Sequence, residues 1–120
     1  MADDLFAGIP VRDFASARDW YVQLLGKEPS FLAHETEAVW DVNEHGYVYV
    51  VEDPDRAGHA VLTIFVEDLE AFVAGAADRG IEPHTRETYD NGVRKITYRD
   101  ADGNEVGVGG APLEDDGTTT

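Results

Sequence analysis

The side chains suited to chemistry in this sequence are a histidine at a strand end, a set of strand-borne aromatics and a short acidic turn. His59 stands just ahead of the apolar run Ala60 to Val66, and Glu52 closes the run Tyr47 to Val51. An imidazole and a carboxylate at two strand ends suit a shared divalent metal, and His59 or Asp41 alone suits a general base. No third ligand stands at a suitable spacing beside His59 and Glu52. His34, His45 and His84 fall in or beside loops and turns, where solvation is their simpler role. Trp40, Asp41, Tyr47, Tyr49, His59, Thr63 and Tyr98 are the candidate ligand-binding residues. Aromatic walls with a few acidic groups favour a flat, cationic ligand through stacking and cation–π attraction. Side chains alternate between the two faces of a strand, so some of this set face the core instead.

Other chemistries lack their parts. Asp100-Ala101-Asp102-Gly103-Asn104 begins like a calcium loop but has neither the longer ligand run nor the distant Glu, and reads as a hairpin turn. Ser16 and Ser30 have no His or Asp arrangement to activate them. There is no glycine-rich phosphate loop and no dinucleotide fingerprint. With no cysteine in the chain, disulfides, thiolate catalysis and thiolate-bound zinc are excluded.

The elements that must position these residues belong to a chain of 120 residues, long enough for one core. An apolar fraction of 42% argues for a folded globule. Acidic residues outnumber basic ones 25 to 9, for a formal charge of −16. That field repels phosphate backbones, so no nucleic-acid partner is expected, and it favours a cationic ligand. Met1-Ala2-Asp3-Asp4 lacks the start of a signal peptide, and the apolar run at 60–66 is too short to span a bilayer. A cytoplasmic protein without a membrane partner is the expectation.

Self-similarity sets the architecture. Val11-Arg12-Asp13-Phe14-Ala15-Ser16-Ala17 aligns with Val66-Glu67-Asp68-Leu69-Glu70-Ala71-Phe72, and Gly26-Lys27-Glu28-Pro29 with Gly80-Ile81-Glu82-Pro83. The offset is 55 residues at the start and 54 at the end. Each copy opens with a strand (5–11, with Pro10 marking an edge or bulge, and 60–66), followed by Asp13 or Asp68 as N-cap. Phe14, Ala17, Trp20, Tyr21, Leu24 and Leu25 then recur at helical spacing up to Gly26. Leu69, Phe72, Val73, Ala76 and Ala77 repeat the pattern up to Gly80, with Gly75 weakening that helix by roughly 1 kcal/mol. Strands follow at 37–43, 47–51, 94–99 and 105–108, with Asp90-Asn91-Gly92 as a hairpin signal. Each module is βαβββ, spanning about 4–53 and 58–110 in a single domain at 1–112, with a disordered acidic tail at 113–120. The expected class is α+β, two modules forming a curled mixed sheet around a shared cavity.

Strand-Pro10-Val11-x-Asp13, Ala17 and Trp20-Tyr21-x-x-Leu24-Leu25-Gly26 closely resemble the opening module of vicinal-oxygen-chelate proteins, the glyoxalase/bleomycin resistance/dioxygenase superfamily. Asp100-Ala101-Asp102-Gly103-Asn104-Glu105-Val106 resembles their closing Asp-Pro-Asp-Gly-Asn hairpin, with Ala101 in place of Pro. The likeness covers the chain to about Gly110. Most enzymes of this superfamily hold a divalent metal through His, Gln or Glu on the first and last strands of each module. Carried over, those positions fall on Phe6, Val50, Val61 and Gly107, and none of these four side chains can coordinate a metal. The resemblance therefore implies a metal-free small-molecule-binding protein of the bleomycin-resistance type, without cofactor, for an aromatic or cationic ligand. The alternative is a superfamily enzyme (lyase, isomerase or dioxygenase) with relocated ligands or a metal-free base. Members are often homodimers, sometimes with exchanged modules, and the sequence leaves monomer and homodimer open.

Overall fold

A computed structural model describes residues 3–113. The chain runs β1 (Leu5–Val11), α1 (Phe14–Leu25), β2 (Phe31–His34), β3 (Glu37–Asp41), β4 (Gly46–Glu52), β5 (Val61–Phe65), α2 (Leu69–Asp78), β6 (Thr85–Thr88), β7 (Arg94–Arg99) and β8 (Glu105–Gly110). This is βαβββ twice, the α+β architecture expected. The strands form two four-stranded sheets, ordered β1-β4-β3-β2 and β5-β8-β7-β6. In each, the first strand runs parallel to the last while the other pairs are antiparallel. Pro10 is tolerated because β1 is an edge strand. The acidic tail expected at 113–120 lies, apart from Leu113, outside the described residues.

The helices begin and end where the residue chemistry puts them. Asp13 accepts from the Ala15 amide at 3.2 Å and Asp68 from the Ala71 amide at 3.0 Å. Gly26 closes α1 in the left-handed conformation, φ 78°. Glu52 helps cap the same helix, its Oε1 accepting from the Phe14 amide at 3.1 Å. That contact binds Glu52 into the fold rather than leaving it to join His59 in a metal site.

Strand alternation sorts each sheet into a helix-bearing face and an open face. Ile9, Val11, Trp40, Val48 and Val50 of the first sheet share one hydrophobic cluster with Ile96, Tyr98, Val106 and Val108 of the second and with Tyr21, Leu24, Leu69 and Ala76 of the helices. The opposite faces carry exposed apolar side chains, with Phe6 at 48%, Val61 at 72% and Phe65 at 63%.

The repeat is followed down to single core positions. Trp40 pairs with Val48 and Tyr98 with Val106, so these two aromatics are the same site in the two modules. Both are fully buried in the core, away from the open face, although Trp40 also backs a small cavity that Asp41 lines. Trp40 satisfies its indole by donating to the Lys27 carbonyl at 2.9 Å.

The acidic turn at 100–104 is more than a hairpin. Asp100 Oδ1 accepts from the amides of Asp102 and Asn104, and its Oδ2 from the Tyr21 hydroxyl at 2.8 Å. Asn104, fully buried, accepts at Oδ1 from the Gly58 and Ala60 amides and donates to Asp100 and to the Pro10 carbonyl. Asp102 accepts from the Arg12 amide and guanidinium. One turn of the second module thus holds the end of β1, helix α1 and the linker between modules.

Candidate functional site

The open face of the first sheet presents residues paired across the β1–β4 register. Phe6 lies beside Tyr47 and Gly8 beside Tyr49. The Phe6 and Tyr47 rings stack, centroids 4.4 Å apart and 10° from parallel. A Cβ on Gly8 would lie 2.6 Å from the Tyr49 ring, so glycine is what lets that tyrosine lie across β1. Beside it opens a cavity of about 310 Å³, lined by Gly8, Pro10, Tyr49, Arg56, His59 and their neighbours. Its walls come from β1, β4 and the linker that precedes β5. The size is at the lower end for ligand sites, enough for a ring system. Arg56 is held over the linker by Asp53 at 2.8 Å, and that carboxylate keeps the guanidinium protonation even firmer than usual.

The structure brings together two of the expected site residues, Tyr49 and His59. Tyr47 and Asp41 share a shallower depression next to them with Phe31. Asp41 is a poor base: the Ser30 hydroxyl donating to it, and then the Lys27 ammonium at 3.6 Å, hold its carboxyl below the usual range. Thr63 lies on the open face of the second sheet, opposite Gly107. Trp40 and Tyr98 are in the core, on the other side of their sheets. Gly8, Phe6 and Arg56 complete the site without having been singled out for ligand binding. The Phe6–Tyr47 contact follows from strand register alone, whereas Arg56 sits in an irregular segment with no period to read.

Register also corrects the metal mapping. Thr63 is the repeat equivalent of Gly8; Thr63 pairs with Gly107 and Gly8 with Tyr49. The first-module counterpart of Gly107 is therefore Tyr49, one residue from Val50, which is buried on the helix-bearing face. Three of the four open-face positions, Phe6, Val61 and Gly107, bring no nitrogen or oxygen donor, and Tyr49 brings one phenol. Among the described residues no three of His, Cys, Asp and Glu are placed so that they could hold a metal ion. The residues present do not fit the divalent metal that the resemblance associates with these strands.

A family model described as the Glyoxalase/Bleomycin resistance protein/Dioxygenase superfamily matches residues 5–108. The chain belongs to this superfamily. A glyoxalase/bleomycin resistance protein from Catenulispora acidiphila DSM 44928 shares 53% identity over 92% of this chain and all of its own, with a TM-score of 0.90. At lower identity the fold persists. TnmS3, an antibiotic binding protein from Streptomyces sp. CB03234, has a TM-score of 0.71 at 22% identity, covering 94% of this chain and 98% of its own. A bleomycin-binding protein complexed with bleomycin has a TM-score of 0.74 at 19% identity, covering 92% and 99%. No curated protein matches the chain. Within this glyoxalase/bleomycin-resistance chain, the open face of the first module is the surface where aromatic rings and polar side chains converge, and no helix among the described residues is long and apolar enough to cross a membrane.

Proposed function

We propose that this superfamily member binds a small aromatic or cationic molecule on the open face of its first module, without a metal and without chemistry on the ligand. The observation that carries the reading is the exposed Phe6–Tyr47 stack, continued by Tyr49 over Gly8 into the cavity beside His59. Aromatic rings gathered on this face offer a flat ligand further stacking contacts, worth about 0.5–1.5 kcal/mol each. A chain charge of −16 draws a cation towards that wall. Two solved proteins of this fold bind antibiotics, one of them bleomycin, which supports a sequestering role. The protein is proposed to act in the cytoplasm. Exposed Val61 and Phe65 on the open face of the second sheet support a homodimer as its assembly.

Calorimetric titration with proflavine, a flat aromatic cation, tests the reading, with phenethylamine as a small, non-fused aromatic cation for comparison. Proflavine is expected to bind once per chain and about tenfold more weakly to Tyr49→Ala, a loss of roughly 1.4 kcal/mol. Absence of binding, together with one Mn, Ni or Zn ion per chain that His59→Ala abolishes, would overturn it in favour of a metal-dependent enzyme.

A further inference from the structure

We propose that the protein has a second ligand site, on the helix-bearing side of the second sheet, for a small carboxylate with an apolar body. A cleft of about 400 Å³ opens there between α2 and the β6–β7 hairpin, larger than the cavity beside His59. Leu69, Val73 and Ile96 form its apolar floor, and Arg86 and Arg94 stand at its rim.

The two arginines are not equivalent. Arg94 is committed: its guanidinium pairs with Glu70 and donates to the Ala111 carbonyl at 2.8 Å. Beyond its place in the β6–β7 ladder, Arg86 has no side-chain hydrogen bond and no ion pair with any described residue. The other carboxylate of the rim, Glu87, accepts from the Tyr89 hydroxyl at 3.3 Å. Two arginines and two glutamates line this cleft, in a chain where acids outnumber bases 25 to 9. An anion meets far less repulsion at this rim than elsewhere on the surface.

Comparison with the first module shows how the cleft arises. Arg86 pairs with Ile96, and its repeat counterpart Leu32 pairs with Ala38. The counterpart of Val73 is Arg18, whose Nε is buried and whose guanidinium meets Glu28 at 3.4 Å. In the first module the cation is on the helix with a carboxylate partner, and the strand position is apolar. In the second module the helix position is shortened to valine, which leaves a hollow, and the cation moves to the strand, without a partner among the described residues. A planar guanidinium beside an apolar hollow is the complement of a carboxylate on a hydrocarbon or aryl body.

Proton–nitrogen correlation spectra recorded during titration with 3-phenylpropionate test the site, with 3-phenylpropionamide as the neutral isostere. Arg86 is exposed, so Arg86→Gln leaves the fold intact. Saturable shifts are expected at Val73, Arg86 and Ile96, with affinity falling about tenfold both in Arg86→Gln and for the amide. Shifts confined to Tyr49 and His59, equal binding of acid and amide, or no saturable shift would each overturn the proposal.

Discussion

The side-chain amide of Asn104 donates to the carbonyl of Pro10 at 2.8 Å, joining residues 94 apart in sequence. Because the same side chain also satisfies two linker amides and the Asp100 carboxylate, it uses every hydrogen-bonding position an asparagine has.

Asn104→Ala should therefore strand the Gly58 and Ala60 amides and the Pro10 carbonyl at once, while Asp100 Oδ2 keeps the Tyr21 hydroxyl. Each unmet buried group costs about 1–3 kcal/mol, though not additively, so a loss of roughly 3–5 kcal/mol is expected. Urea unfolding measures it; a loss under about 1 kcal/mol would mean that the modules hold together without the clamp.

Gly58 and Gly80 share the same φ of 94° but not the same surroundings. At Gly80 an added Cβ meets nothing within 4 Å, so Gly80→Ala should cost only the left-handed backbone, about 1–2 kcal/mol. At Gly58 the Cβ would lie 2.4 Å from the Asp102 carbonyl, and Gly58→Ala should cost clearly more. Equal unfolding midpoints for the two variants would refute the comparison.

Alkaline pH should destabilise the protein through its buried phenols. Burial, and then the Asp100 carboxylate, push the Tyr21 phenol well above its ordinary value; burial pushes Tyr98 up too. Below pH about 10 both the folded and unfolded chains keep these protons. Above it the unfolded chain releases them and the folded chain does not, so stability is complete below the unfolded value and lost as pH rises beyond it. The slope should approach about 1.4 kcal/mol per pH unit for each tyrosine held protonated. Urea midpoints between pH 8 and 11.5 should show a shallower decline for Tyr21→Phe than for the parent, at the expense of a lower midpoint at neutral pH from the lost bond to Asp100.

Asp41 should respond in the opposite sense. Its carboxyl sits below the usual range because of Ser30 and then Lys27, so the stability it contributes is present above the unfolded value of about 3.9 and lost as pH falls. Carbon-detected titration of Asp41 should move upward in Ser30→Ala. An unchanged titration would show that Lys27 alone sets it.

Much of this fold is legible in the residue pattern because the repeat supplies it twice. Val11 to Ala17 against Val66 to Phe72 places both first strands and both helices, and the caps at Asp13 and Asp68 fall where short acceptors before apolar periods put them. Strands β2 and β6 escape that reading because all four residues of each are exposed, so no alternation marks them. The site was legible in part. Tyr49 and His59, two of the candidates, line one cavity, but type alone cannot say which face of a strand an aromatic takes. Trp40 and Tyr98 go to the core because their register neighbours Val48 and Val106 do, and register is a long-range property.

The position of Asn104 also has a consequence for the order of assembly. Synthesis proceeds from the N-terminus, and the first module could begin to fold as it leaves the ribosome. Yet the carbonyl of Pro10 and the amides of Gly58 and Ala60 find their partner only in the last hairpin. The nascent first module is therefore born with an open seam, and the residue that closes it is made only after strand β7 of the second module.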